Sequence, residues 1–297
     1  MAQGGRGDTW RRARPRVAQA ELNLPVSPAV LSEVQAAIRS ETANASVVAT
    51  IIQKDPGLLA TVLRLVNSSY YGLPQRITRP AAAVAYLGLA EILRVVVTAA
   101  IVQAFGPTRH AGLRPLWRHA SHTALLAQAL TRRFARWLPS VSSWTLGLLH
   151  DLGSFARLVS DSESQIRINH YTADYRCLAE EAELALELAP SPLIGRRLAA
   201  QWQLPPAFLL VLGDHRDGLP TMQCSPDDEQ HLRVVAAASA LAALVSRPLR
   251  DDVRASLHHV VMSTLGLDED ELVEQLELAD ELTPEAEKLL AELIGGA

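Results

Sequence analysis

The sequence predicts an all-α protein, a multi-helix bundle, on three observations. Apolar residues make up 48% of the 297 residues and aromatics only 5%, so alanine and leucine must fill the core, as in packed helices more than in sheets. Apolar positions recur at three- and four-residue spacing in one segment after another. Neither sustained alternation nor an Asn-Gly hairpin turn marks a strand.

Residues 1–20 carry Gly, Arg and Gln without a hydrophobic period and read as a disordered basic leader containing Arg6, Arg11, Arg12, Arg14 and Arg16. Order begins at Leu22. Leu24, Pro25 and Pro28 introduce a helix to about Arg39 through Val30, Leu31, Val34 and Ile38, and a second helix follows from Ser46. Asp55 and Pro56 start a third, because the aspartate accepts an end N–H and proline has none to lose. Its stripe of Leu58, Leu59, Val62, Leu63 and Val66 ends at Asn67 and Ser68, whose side chains can bond the last carbonyls. Gly72 and Pro74 break the chain. Ala81 to Phe105 holds two further helical segments, the latter apolar all round and therefore expected to be buried.

From Leu116 a long amphipathic helix runs through Ala120, Ala124, Ala127, Leu130 and Phe134 to Pro139, and the next ends at His150 and Asp151. Glu180 to Leu188, Pro192 to Trp202 and Pro205 to Leu212 read as short helices, and Asp214 to Pro220 as a polar turn. Helices at His231–Ser246, Arg250–Leu265 and Asp268–Ala279 follow, the last opened by the capping-box pair Asp268 and Glu271. Thr283 and Pro284 start the final one. Trp117 and Trp202 read as core anchors, and His122 as a surface or boundary residue.

The formal charge of −4 argues against a generally basic nucleic-acid binder, and nucleic-acid contact by the leader is the weakest functional reading. The stretch from Asp268 to Glu292, with Lys288 as its only base, reads as solvated acidic surface. Cys177 and Cys224 have no metal-ligand spacing and suggest no disulfide framework, so a cytoplasmic location is expected. No apolar stretch reaches the ~20 residues that span a bilayer, and no apolar region follows the N-terminal arginines as a signal peptide requires.

The most informative stretch is GLLHDLGSFAR at Gly147 to Arg157, where a histidine and an aspartate stand side by side at a helix end. There both side chains can point at one metal ion. Around it lie LNLPVSPAVL at Leu22 to Leu31, KDPGLLATVLRLVNSSYYG at Lys54 to Gly72 and AVAYLGLAEILRVVV at Ala83 to Val97. LWRHASHTALLA at Leu116 to Ala127 and AAQWQLPPAF at Ala199 to Phe208 complete the set.

In these words the chain resembles the HDOD family of bacterial signalling proteins, relatives of the metal-dependent HD phosphohydrolases. The resemblance implies an HDOD domain at 21–220, comprising an N-terminal helical part at 21–107 and an HD-like part at 108–220, with C-terminal helices at 221–297 packed on it. By similarity to the active enzymes, metal ligands fall on His119, His150, Asp151 and His215, with Asp214 as an alternative oxygen donor. The lysine of the HDxGK word falls on Ser154, the histidine of HPxxG on Ser191, and the second of two paired histidines on Arg216. The GYP signature is missing around Gly218, Leu219 and Pro220.

With a hydroxyl and a guanidinium where two imidazoles are expected, the resemblance implies a relic site holding a single divalent ion at most, with no catalytic residue and no organic cofactor. The expected function is a non-catalytic signalling or interaction module that meets a partner protein or a small regulatory ligand such as a nucleotide, away from membranes. The alternative is a metal-dependent nucleotide phosphohydrolase.

Overall fold

Five of the described helices begin at a side-chain cap that the sequence supplies. In the computed structural model, which describes residues 33, 34, 36, 37, 40, 44–67, 71, 73–104 and 113–294, fourteen helices are laid out and the described residues contain no strand. The leader, the start of the first expected helix, Ser68 and Gly72 lie outside the described residues.

Asn44 caps α1 (Ala45–Gln53) by accepting from the Ser46 and Val47 N–H groups. Asp55 caps α2 (Pro56–Val66) by accepting from Gly57 and Leu58, as its position before Pro56 predicts. At the far end Asn67 does more than cap. Its Nδ2 donates to the Leu63 and Ile77 carbonyls while its Oδ1 accepts from the Ile77 N–H, all at 2.7 Å, which clips the chain leaving the helix back onto it.

Pro80–Ala104 forms α3, split by Gly88 at φ 78°, ψ 167°, so two segments stand where two are predicted. Its second half is buried at Ile92, Val95, Val96 and Val97, and α1 and α2 both pack on it.

The centre of the molecule is α4 (Leu113–Phe134), packed against α5 (Ser140–Leu149) and α11 (Pro226–Ser246). One buried polar chain ties these three together. Ser143 Oγ of α5 lies 2.7 Å from Thr131 Oγ1 of α4 and 2.8 Å from His231 Nδ1 of α11. Trp117 and Trp202 are fully buried, as core anchors should be.

Two helices, α6 (Leu152–Ser160) and α7 (Ser162–Tyr175), stand where no helix is expected, although α6 carries apolar residues at helical spacing in Leu152, Phe155, Ala156 and Val159. Asp161 caps α7, but only Ser164, Gln165 and Ile168 of that helix are buried, too narrow a stripe to read. The rest of the chain is helical as expected: α8 (Ala179–Ala185), α9 (Ser191–Gln201), α10 (Pro206–Asp214), α12 (Asp251–Leu265), α13 (Glu269–Glu281) and α14 (Thr283–Ile294). The capping box at Asp268 and Glu271 is present, and α11 begins five residues before His231 because Ser225 caps it by accepting from Asp228.

Helix α14 covers α4, and α13 packs on α11. This overturns the surface reading of His122. It is 4% exposed, with Nε2 2.8 Å from the Ala279 carbonyl of α13, because the C-terminal helices cover the face of α4 that would otherwise meet water. Glu287 and Glu274 of the acidic stretch pair with Arg118 and Arg133 of α4, contacts that half-exposed groups make for little net stability. Among the described residues, no helix is long and apolar enough to cross a membrane.

Candidate metal centre

His119 projects from α4, while His150 and Asp151 form the joint between α5 and α6, His150 ending one helix and Asp151 beginning the next. Asp151 stands at a helix start without spending its carboxylate on a cap, so the oxygens remain available to the site. One ligand atom each from His119, His150 and Asp151 gathers within 4.8 Å of the others. His215, the residue after α10, brings Nε2 to 3.8 Å from Asp151 Oδ1.

Helix ends set the ring orientations. His150 Nδ1–H donates to the Gly147 carbonyl (2.7 Å) and His215 Nδ1–H to the Val211 carbonyl (3.0 Å), which also accepts the His215 backbone N–H (3.1 Å). Each bond fixes the tautomer and turns an Nε2 lone pair inward. His150 Nε2 lies 3.2 Å from His119 Nε2, and two nitrogens bound to one ion at ordinary metal–nitrogen lengths sit about 3.0–3.4 Å apart. Ser239 Oγ, from α11, stands 3.2 Å from His119 Nε2 and 3.3 Å from His150 Nε2.

Burial pushes the His119 and His215 pKa values down to about 3, with His150 adding to the effect in both cases. Although burial alone would raise it, Asp151 is held well below the usual carboxylate range by His150, then His215, His119 and Arg216. The imidazole nitrogens beside an ionised carboxylate make a mixed nitrogen and oxygen donor set, and these residues fit a single divalent transition ion.

The other expected donors stand elsewhere. Asp214 Oδ1 accepts from Arg196 (2.6 Å), and its two oxygens also accept from the Thr221 N–H and hydroxyl, so its carboxylate is committed to an ion pair and a turn. Ser154, at the lysine position of the HDxGK word, is buried with Oγ 3.4 Å from Asp151 Oδ1.

Ser191 and Arg216 meet around Glu183, a residue to which the sequence assigns no role. Arg216 Nη2 donates to Ser191 Oγ and to Glu183 Oε2, both at 2.9 Å. Glu183 Oε1 accepts from Arg157 Nη1 and from the Ser191 N–H, both at 2.8 Å, and Arg157 also donates to the Ala189 carbonyl. Glu183 is fully buried, and the guanidinium groups of Arg216 and then Arg157 hold its pKa down against the desolvation that would raise it.

Close backbone packing makes this meeting possible. A Cβ on Gly153 would sit 1.8 Å from the Ser191 carbonyl oxygen, so only glycine lets the starts of α6 and α9 approach so nearly. Arg157 and Ser239 also escaped the sequence reading. Arg157 lies at the end of the GLLHDLGSFAR word, the one local signal that could have pointed to it.

Comparison with known proteins places these residues in context. The model of the HDOD domain matches residues 24–217. A curated relative from Treponema pallidum (strain Nichols) is 25% identical over 198 residues, 66% of this chain, and the match spans 38% of that relative's length. An HDOD domain protein of unknown function from Geobacter sulfurreducens superposes with a TM-score of 0.68 at 24% identity, covering 91% of this chain and 93% of that one. A candidate phosphohydrolase from Shewanella amazonensis SB2B gives 0.67 at 22% identity, covering 91% and 95%. A candidate signal transduction protein from Marinobacter aquaeolei VT8 gives 0.67 at 18%, covering 97% of this chain and 65% of its own. At these identities the likeness establishes the all-helical fold.

Proposed function

The chain belongs to the HDOD family, and on that premise we propose that it is a non-catalytic signal-transduction module whose HD site holds one divalent ion. His119, His150 and Asp151 would hold that ion, with His215 as the fourth donor. Bound there, it supplies charge that fixes α4, α5 and α10 to one another.

The observation that carries this reading is the bonding of Arg216 to Ser191 and Glu183. A pair of ions clamping the attacking and leaving oxygens of a phosphodiester needs further donors around Asp151. A guanidinium there carries positive charge and no lone pair, and its hydrogen bonds occupy the serine and the glutamate that could otherwise turn toward a second ion. Such a module acts in the cytoplasm by presenting helical surfaces to a protein partner, or its interior to a small regulatory ligand.

A second reading, metal-dependent hydrolysis of a nucleotide, draws on the same His119, His150 and Asp151 cluster. Metal counting on the purified chain, together with a phosphodiesterase assay in added manganese, separates the two. One ion per chain, with no turnover, supports the module. Two ions per chain, with turnover abolished by His150→Ala, overturns it.

A further inference from the structure

A cavity of about 540 Å³ opens beside the His–Asp cluster, within the size range of small-molecule sites. Part of its wall is apolar, from Leu116, Ile168, Leu178 and Ala240, and that volume is far larger than an inorganic ion needs.

Two polar groups on this wall are unspent. Arg247, the residue after α11, lines the cavity in extended backbone, half-buried, and among the described residues it makes neither a hydrogen bond nor an ion pair. Arg157, Arg196, Arg216 and Arg250 each have a carboxylate within 3 Å. Burial pushes the Arg247 pKa down, and the groups opposing that are Cys177 and Asp151, the latter a donor of the metal centre. Gln165 of α7 is 2% exposed and lines the same cavity. Its Nε2 donates to Asn169 Oδ1 (3.1 Å), while its buried Oε1 has no hydrogen-bond partner. An unpaired buried acceptor and a desolvated cation are each costly unless something completes them.

We propose that this cavity is a binding site for an organic anion with an apolar body, its charged group held by Arg247 and a donor group of the ligand by Gln165. The shared requirement is negative charge joined to an apolar or aromatic frame, which a nucleoside monophosphate and a medium-chain carboxylate both meet. This deepens the reading of a ligand-responsive module. Arg247 is not a metal donor, so metal counting can fail while anion binding stands, and the reverse.

The test is a fluorescence titration of the full chain with anilinonaphthalene sulfonate, an aromatic anion, with and without prior chelation of metal. Saturable binding is expected in both conditions. Arg247→Gln weakens it about 10-fold or more, Arg247→Lys less, and Arg133→Gln on the outer face of α4 not at all. Far-ultraviolet circular dichroism checks that each variant is folded. Displacement by adenosine monophosphate but not adenosine identifies a phosphate-bearing ligand, and displacement by octanoate a carboxylate. Equal affinity in folded Arg247→Gln, loss of binding on chelation, or displacement by neither competitor would overturn the proposal.

Discussion

Arg216 donates to Ser191 over 2.9 Å, so the two positions at which the resemblance to HD phosphohydrolases leads one to expect imidazoles are bonded to each other. Both also bond the carboxylate of Glu183, which has Arg157 on its other side. Changes at separate points of the sequence are thus one buried network, whose members depend on one another more than pairwise counting suggests.

Glu183→Gln removes the charge that two guanidinium groups share and leaves Arg157, 3% exposed, without its carboxylate. The expected loss is about 3–5 kcal/mol of unfolding free energy, read from the shift of a urea or guanidinium transition. A loss under about 1 kcal/mol would show that the network contributes little.

Metal affinity should follow the donor geometry and ignore the committed aspartate. His150→Ala is expected to weaken manganese or zinc binding by well over about 10-fold in calorimetry. Asp214→Asn, whose carboxylate serves Arg196 and Thr221, is expected to leave it within about 3-fold, because no donor of the centre is altered. A large drop in Asp214→Asn would mean that the turn swings inward to coordinate.

His231 should make stability sensitive to acid. Burial first, and Arg94 second, push its pKa from the ordinary 6.5 to about 4. Between those values the unfolded chain binds a proton that the folded chain refuses, so this contribution is complete above pH 6.5 and is lost as the pH falls toward 4. In chelator-treated protein, wild type is expected to lose about 2–3 kcal/mol more than His231→Gln between pH 7 and 4. Parallel curves for the two proteins would contradict the assignment.

Gly153→Ala introduces a methyl where the Ser191 carbonyl already sits, so α6 and α9 must move apart. The expected cost is about 1–3 kcal/mol, seen as a lowered melting temperature, with no comparable effect from Gly57→Ala, where the nearest atom is the movable end of Gln103. Equal melting temperatures for the two variants would mean that the joint yields without cost.

Much of the fold was legible because local chemistry decided it. The aspartates at 55 and 268 cap as their neighbours predict, and the side-by-side histidine and aspartate lie at a helix joint where both can reach one point. What could not be read depends on elements distant in sequence. The hydroxyl of Ser239 reaches two imidazoles only because α11 packs along α4, and Glu183 matters only because α6, α8 and the end of α10 converge. The polar helix α7 gave too narrow a stripe to notice, yet it carries Gln165. His122 reads as surface or boundary because its own helix does not show that α13 covers it.

Ser239 also bears on where the polypeptide can be divided. It lies more than twenty residues beyond the segment that the family model matches, yet its oxygen touches both rings of the metal centre. Shortening the polypeptide to that segment would strip Ser239 from the cluster and remove α11 and α14 from the faces of α4 they cover, yielding a sticky fragment ill-suited to metal work. The site is therefore walled by a helix that lies outside the segment recognised by sequence.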